Sequence, residues 1–275
     1  MPTSVPRAVV AVRPNAAPAP RDDRLAAEEP LEIRAQGPGQ EPVQIAVTMR
    51  TPGDDAELAV GFLHGEGLLG SAGDLAAPVV RELPLEASPS SFVTVRTTTP
   101  FDAARLQRNF YATSSCGISG KPAIEHIHMT SPPIGPGPVL ARSALVAMPA
   151  ALRRAQVTFA ATGGLHATAA FDGRDPEPRV VREDVGRHNA MDKVIGRLLL
   201  DGALPFRGAL LVSGRASFEL VQKAAMAGVP LLAAVSAPSS LAVATAERLG
   251  MTLIGFLRDD GFNIYTGRER VDLDA

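Results

Sequence analysis

The sequence predicts an α/β protein, α+β overall, with a C-terminal α/β domain and a smaller mixed N-terminal domain. Three observations predict it. From about residue 150 onward, short apolar strands alternate with helices, which argues for a sheet covered by helices. The first third instead groups strands around one helix. The 275 residues, 45% hydrophobic and 20% charged, have ordinary globular composition and suffice for two domains of roughly 100–200 residues each.

Residues 1–30 are rich in Pro, Ala and Arg without an apolar period and read as a flexible arm. Residues 31–110 form the small mixed domain. Val43, Ile45, Val47 and Met49 alternate with polar or small residues, which predicts a strand. Leu31 to Ala35 pairs with it through the Gly37-Pro38-Gly39 turn. Pro52-Gly53-Asp54-Asp55 opens a helix whose stripe is Leu58, Phe62 and Leu63, with its acidic residues suited to the helix dipole. Phe92 to Arg96 reads as another strand. Residues 111–140 form a loop and a Pro/Gly-rich linker.

Residues 141–275 form the α/β domain. Helices are expected over Ala150 to Ala161, His188 to Leu200, Phe218 to Ala227 and Ser240 to Leu249. Strands are expected over Leu165 to Phe171, Arg179 to Arg182, Ala209 to Val212, Val229 to Val235 and Met251 to Phe256, with Asn263 to Tyr265 closing the series.

Composition excludes several functions. A net charge of −2 and a pI near 6.2 rule out a global basic field for nucleic acid. The uncharged stretch Ala224 to Ala246 is interrupted by Gly228, Pro230 and Pro238 and reads as helix, strand and turn, not a membrane span. The apolar run Ala8 to Val12 is too short for a secretory signal. A single cysteine, Cys116, permits no internal disulfide and fits a reducing, cytoplasmic compartment. Zinc deaminase chemistry needs His-x-Glu and paired cysteines, whereas His166 is followed by Ala167 and Thr168, so no metal site is expected.

Open α/β sheets bind ligands beyond the carboxyl ends of their strands. The loops expected there are Thr162 to His166, Asp184-Val185-Gly186-Arg187-His188, Ser213-Gly214-Arg215, Ser236 to Ser240 and Arg258-Asp259-Asp260-Gly261. Several lead into helix N-termini, whose bare amides suit phosphate, and Arg187 and Arg215 add charge-assisted bonds. The densest charged segment, Arg182 to Lys193, has two readings. It is a solvated helix start with local ion pairs, or Glu183, Asp184 and Asp192 orient Arg187, His188 and Lys193 toward a ligand.

Cys116 is bracketed by Ser and Gly, with Lys121 nearby, a setting that favours thiolate. A lone cysteine is more often a small buried hydrophobe, but this one is not embedded in apolar sequence. A Cys–His hydrolase would need a base, and neither His166 nor His188 is fixed as one by a motif.

The chain resembles the formate dehydrogenase accessory sulfurtransferases, the FdhD-type proteins. The resemblance rests on ordered blocks: Thr51-Pro52-Gly53 with Glu57 to Leu63, Thr113-Ser114-Ser115-Cys116-Gly117, Thr162-Gly163-Gly164-Leu165-His166-Ala167, Arg182 to Lys193, Ser213-Gly214-Arg215, and Gly255 to Arg258 through Asn263 to Thr266. It implies that Cys116 accepts sulfane sulfur from a cysteine desulfurase as a persulfide. The sulfur then passes to the molybdenum cofactor, a molybdenum or tungsten bis(molybdopterin guanine dinucleotide), before insertion into formate dehydrogenase.

The resemblance further implies that Phe256, Leu257, Arg258, Asp259, Asp260 and Gly261 bind that cofactor. It implies a homodimer and a three-layer C-terminal domain similar to cytidine deaminase without its zinc. On this reading Gly186, Arg187, His188, Ser213, Gly214 and Arg215 also bind the cofactor, with Arg187 and Arg215 meeting its phosphates. The chain departs from relatives with a Cys-x-x-Cys pair, because it reads Cys116-Gly117-Ile118-Ser119. That leaves a mechanism with a single sulfur-carrying thiol. The alternative is a cofactor-binding chaperone that transfers no sulfur.

Overall fold

The computed structural model describes residues 2–82, 91–102, 134–173 and 176–275. Cys116, Lys121 and most of the expected linker lie outside the described residues.

The residues expected to form a flexible arm instead form a hairpin. β1 (Ser4–Arg13) pairs antiparallel with β2 (Ala16–Ala26). Apolar periodicity is weak because both faces are largely exposed. Pairing rests on the backbone ladder and on cross-strand partners such as Arg7 opposite Asp23. The hairpin base is closed by Ala27 N–H donating to Thr3 O at 2.9 Å and by the Arg24 guanidinium on Ser4 Oγ at 2.8 Å.

β3 (Glu29–Gln36) and β4 (Val43–Arg50) form the expected antiparallel pair. A bulge sits between Ile33↔Ala46 and Arg34↔Gln44. It turns both Ile45 and Ala46 into the core and leaves Val47 and Met49 exposed. The single apolar face expected from strict alternation therefore ends at Ile45. With β5 (Arg81–Glu82) and β6 (Ser91–Arg96) the sheet order is β4-β3-β6-β5.

α1 (Asp55–Gly65) buries Leu58, Ala59, Val60 and Leu63 against this sheet. Its first-turn Asp55 is held by the fully buried Arg50, Nε to Oδ1 at 2.7 Å and Nη2 to Oδ2 at 3.1 Å.

The C-terminal region begins with β7 (Leu140–Ala141) and α2 (Arg142–Ala155). α2 starts well before the expected Ala150 and contains Pro149. Burial of Leu145, Met148 and Leu152 on one face carries the helix through the proline's missing hydrogen bond. The helix then breaks at Gln156 (φ −80°, ψ 76°), and α3 (Val157–Thr162) follows.

β8 (His166–Phe171) and β9 (Val180–Asp184) lead into α4 (Arg187–Leu200). β10 (Ala209–Val212), α5 (Phe218–Met226), β11 (Leu231–Ala234), α6 (Ser240–Leu249), β12 (Thr252–Gly255) and β13 (Asn263–Thr266) complete the alternation. β14 (Val271–Asp272) pairs with β7.

The main sheet runs β13-β12-β11-β10-β8-β9. Leu210, Val212, Leu232 and Leu253 pack on α4, α5 and α6. Ala169, Phe171, Leu211 and Ala233 pack on α2 from the other side. The result is the expected three layers. β10, β11 and β12 are parallel, and β8 is antiparallel to β10 and to β9. The ends of β9 to β12 that precede loops therefore share one sheet edge with the start of β8. α1 lies between the N-terminal sheet and α4, so the two regions share a packed interface.

Candidate functional site

The expected loops meet along this edge and are laced together by backbone bonds. Phe256 N–H donates to Ser236 O at 3.2 Å, and Ser236 N–H donates to Gly214 O at 3.2 Å. Ser213 N–H donates to Ala167 O at 2.9 Å, and Ser213 Oγ accepts from Ala167 N–H at 2.9 Å. Gly214 lies against the His166 ring, where a Cβ would stand 3.3 Å from Nδ1 and 4.0 Å from Arg187 Cδ. A glycine here lets the imidazole and the arginine converge on one spot.

Most of the charged segment serves the fold. Lys193 is 1% exposed, and its Nζ lies 2.8 Å from Asp184 Oδ2 and donates to Thr51 O at 2.9 Å. Asp184 accepts from Thr51 N–H, Gly186 N–H and Asn189 Nδ2 at 3.1, 2.9 and 3.1 Å. Glu183 accepts from the Thr158 and Phe159 amides at 2.8 and 2.7 Å and so holds the first turn of α3. Asp192 pairs with Lys223 at 2.7 Å. The local ion-pair reading thus describes Asp184, Asp192 and Lys193, with burial added, while Glu183 binds backbone amides. They fasten the Thr51 loop and α5 to α4 and fasten α3 to β9, and Lys193 Nζ is taken up by Asp184, Thr51 and Glu183. The Gly186 amide is likewise taken.

Arg187 and His188 differ. Arg187 Nε is buried and takes no hydrogen bond among the described residues. His188 Nε2 lies 3.2 Å from Glu219 Oε2 and 3.4 Å from Ser217 Oγ. The His188 bond is the main cause that brings Glu219 down to about 2. Burial, then the Arg187 charge, lowers the His166 pKa, which favours neutral imidazole.

Arg215, Arg258, Asp259 and Asp260 are exposed at the edge, and Arg258 N–H closes a turn on Gly261 O at 2.9 Å. Phe256 is 40% exposed with φ 54°, a left-handed backbone that a bulky side chain rarely adopts. Leu257 is fully buried beside Ile254 and Leu231, so its side chain anchors the segment in the core and cannot face a ligand.

Sequence reasoning missed a cavity of about 500 Å3 beside this edge, lined among others by Leu152, Gln156, Phe159, His166 and Ser213. Gln156 and Phe159 carry no motif; they line the cavity where α2 breaks at Gln156 and α3 begins. Glu219 was also missed, although Ser217 followed by Glu219 at a helix start is a visible cap-like signal. Among the described residues, no group of three or more His, Cys, Asp or Glu is placed to hold a metal ion.

Fold and edge together define a three-layer α/β protein whose Gly- and Ser-bearing loops gather at one end of its sheet. A model of the FdhD/NarQ family matches residues 26–272. A sulfur carrier protein FdhD from Streptomyces avermitilis is 48% identical over 98% of this chain and 96% of its own. One from Mycolicibacterium paratuberculosis is 50% identical over 91% of this chain and 93% of its own. The crystal structure of a proposed formate dehydrogenase accessory protein from Desulfotalea psychrophila superposes with a TM-score of 0.76 at 25% identity, covering 98% of this chain and all of that one. The chain belongs to the FdhD/NarQ family.

Proposed function

We propose that this protein is a sulfur carrier in the maturation of formate dehydrogenase, with Cys116 as the carrier. One observation carries the reading: relatives that align over nearly the whole chain are named sulfur carrier proteins, and Cys116 is the only thiol available to carry sulfur. The Cys116 thiolate attacks the outer sulfur of a cysteine desulfurase persulfide. A bond forms from Sγ to that sulfur, the donor S–S bond breaks, and the donor leaves as a thiolate. No net oxidation is required. The sulfur is destined for the molybdenum of a bis(molybdopterin guanine dinucleotide) cofactor, which is substrate here.

The edge supports that cargo. Arg187 and Arg215 are available for phosphate oxygens, and Phe256 stands exposed at the same end of the sheet. The protein acts as a homodimer in the reducing cytoplasm, where a lone thiol persists. No helix among the described residues is long and apolar enough to cross a membrane.

Intact-mass measurement after incubation with desulfurase and cysteine tests the reading. The expected result is one added sulfur atom that is absent from Cys116→Ala, together with failure of that variant to restore formate dehydrogenase activity in a deletion strain. Full restoration by Cys116→Ala would leave a cofactor chaperone that moves no sulfur.

A further inference from the structure

The N-terminal hairpin has one blunted edge and one open edge. Ala27 N–H donates to Thr3 O at 2.9 Å, in the same register that pairs Val5 with Leu25 and Val9 with Arg21. Odd-numbered residues of β1 therefore face β2 through the ladder, and even-numbered ones turn their N–H and C=O groups outward. On β2 the outward positions are Pro20, Asp22 and Arg24, and proline and charge are the usual means of blunting a sheet edge. On β1 they are Pro6, Ala8, Val10 and Val12. The bulge falls on β2, where two residues oppose Val12, so β1 stays regular. From Ala8 to Val12 this edge has no charge and no proline, and Val10 and Val12 are 67% and 75% exposed. Among the described residues it pairs with no other strand, and α3 packs on β2. Two strands alone are marginal in water, and a third or fourth is what this ribbon lacks.

The sequence says what fits there. Pro6-Arg7-Ala8-Val9-Val10-Ala11-Val12-Arg13-Pro14 reads nearly the same in both directions about Val10. We propose that the open edge of β1 takes β1 of a second copy, antiparallel, with Val10 opposite Val10 on a two-fold axis and Ala8 opposite Val12. The two hairpins then form one four-stranded sheet in the order β2-β1-β1-β2. This register exchanges about six N–H···O bonds and sets Pro6 against Pro14 at both ends, outside the ladder. Centring the pair on Val9 or Ala11 instead brings Pro6 opposite Val12 or Pro14 opposite Ala8, and bonds are lost. Arg7 comes opposite Arg13 of the second copy, and Asp23, which faces Arg7 across the hairpin, offsets that charge. The contact is isologous and closes at two copies, because the outer strands are the blunted ones. It deepens the homodimer reading by naming the surface, and it is independent of the thiol.

Sedimentation equilibrium of the full-length protein tests this, and the wild type is expected to be a dimer. Val10→Lys and Val10→Glu each set like charges opposite one another across the axis. Each is expected to weaken dimerisation at least tenfold, and an equimolar mixture of the two is expected to recover it. A second measurement does not depend on charge. In a Cys116→Ala background, Val10→Cys is expected to cross-link between copies under copper–phenanthroline oxidation, because opposed Cα atoms about 5.5 Å apart lie within disulfide reach. Val5→Cys, far from the axis, is expected to stay uncross-linked. The proposal is overturned if neither charge weakens the dimer, if the mixture of charges recovers nothing, or if Val10→Cys fails to cross-link. A wild-type dimer indifferent to position 10 leaves the homodimer standing on another surface, whereas a monomeric wild type overturns both. The sulfur-carrier reading is judged separately by the mass of Cys116.

Discussion

Gly61 of α1 and Gly196 of α4 meet where the two helices cross. A Cβ on Gly61 would stand 1.9 Å from Asp192 O, and a Cβ on Gly196 would stand 1.9 Å from Glu57 O. The backbones touch without intervening side chains, and this contact joins the N-terminal region to the α/β region. Replacing a helical glycine by alanine ordinarily stabilises by about 0.5–1 kcal/mol. Here the sign reverses, because the methyl group must push apart two packed backbones. Gly61→Ala and Gly196→Ala are each expected to destabilise by about 1–3 kcal/mol or more, read as a lower urea midpoint.

The buried pair Asp184 and Lys193 is asymmetric. Removing Asp184 leaves an ammonium sealed in the interior with, among the described residues, the carbonyls of Thr51 and Glu183 at Nζ. Removing Lys193 leaves a carboxylate that still accepts from Thr51, Gly186 and Asn189. Asp184→Ala is therefore expected to cost about 3–5 kcal/mol, the scale for stranding one partner of a buried pair. Lys193→Met is expected to cost measurably less. Denaturant unfolding of both variants checks the order.

His166 links stability to pH. Its folded pKa is lowered from the usual 6.5, first by burial and then by the Arg187 charge. Below pH 6.5 the unfolded chain takes up a proton that the fold refuses, so stability falls as pH drops from 6.5 toward the folded pKa. NMR titration of the five histidines, assigned through His166→Gln, should show this ring titrating below 6.5. Arg187→Met should move it upward, and His166→Gln should reduce the slope of stability over the same interval, His64 supplying the remainder. His64, lowered by its own burial, is expected to be unmoved by Arg187→Met.

Phe256 holds a strained backbone while exposing much of its ring. Left-handed geometry costs a non-glycine residue roughly 1–2 kcal/mol, and little packing is lost on truncation. Phe256→Gly is expected to leave folding stability unchanged or raise it by up to about 1 kcal/mol, after the entropic cost of glycine. If the ring contributes to the site, the same variant weakens guanosine diphosphate binding. Thermal melts and calorimetry read the two effects separately.

The alternation of strands and helices after residue 165 was legible because each strand is a short apolar run and each helix an amphipathic one. The hairpin of residues 4–26 was not, because its faces are exposed and the ladder needs no apolar period. The bulge at Ile45 was also hidden, since alternation in one strand says nothing about a slip against its neighbour. Of the site, the loops were legible as loops. The roles of their atoms were not: Lys193 looks like a ligand contact in the sequence and is an internal tie, and Leu257 sits in a ligand-suited segment yet faces the core. Gln156 and Phe159 carried no signal at all.

The sequence by itself determined the family, the order and kind of the C-terminal elements, and that any thiol chemistry of this chain falls on Cys116. These are properties of residue type and local period. Only the tertiary structure decided which charges are sealed inside, which amides are already bonded and where a cavity opens beside the sheet. Burial and hydrogen-bond partnership arise between residues far apart in the chain, as between Thr51 and Lys193, and no local pattern encodes them.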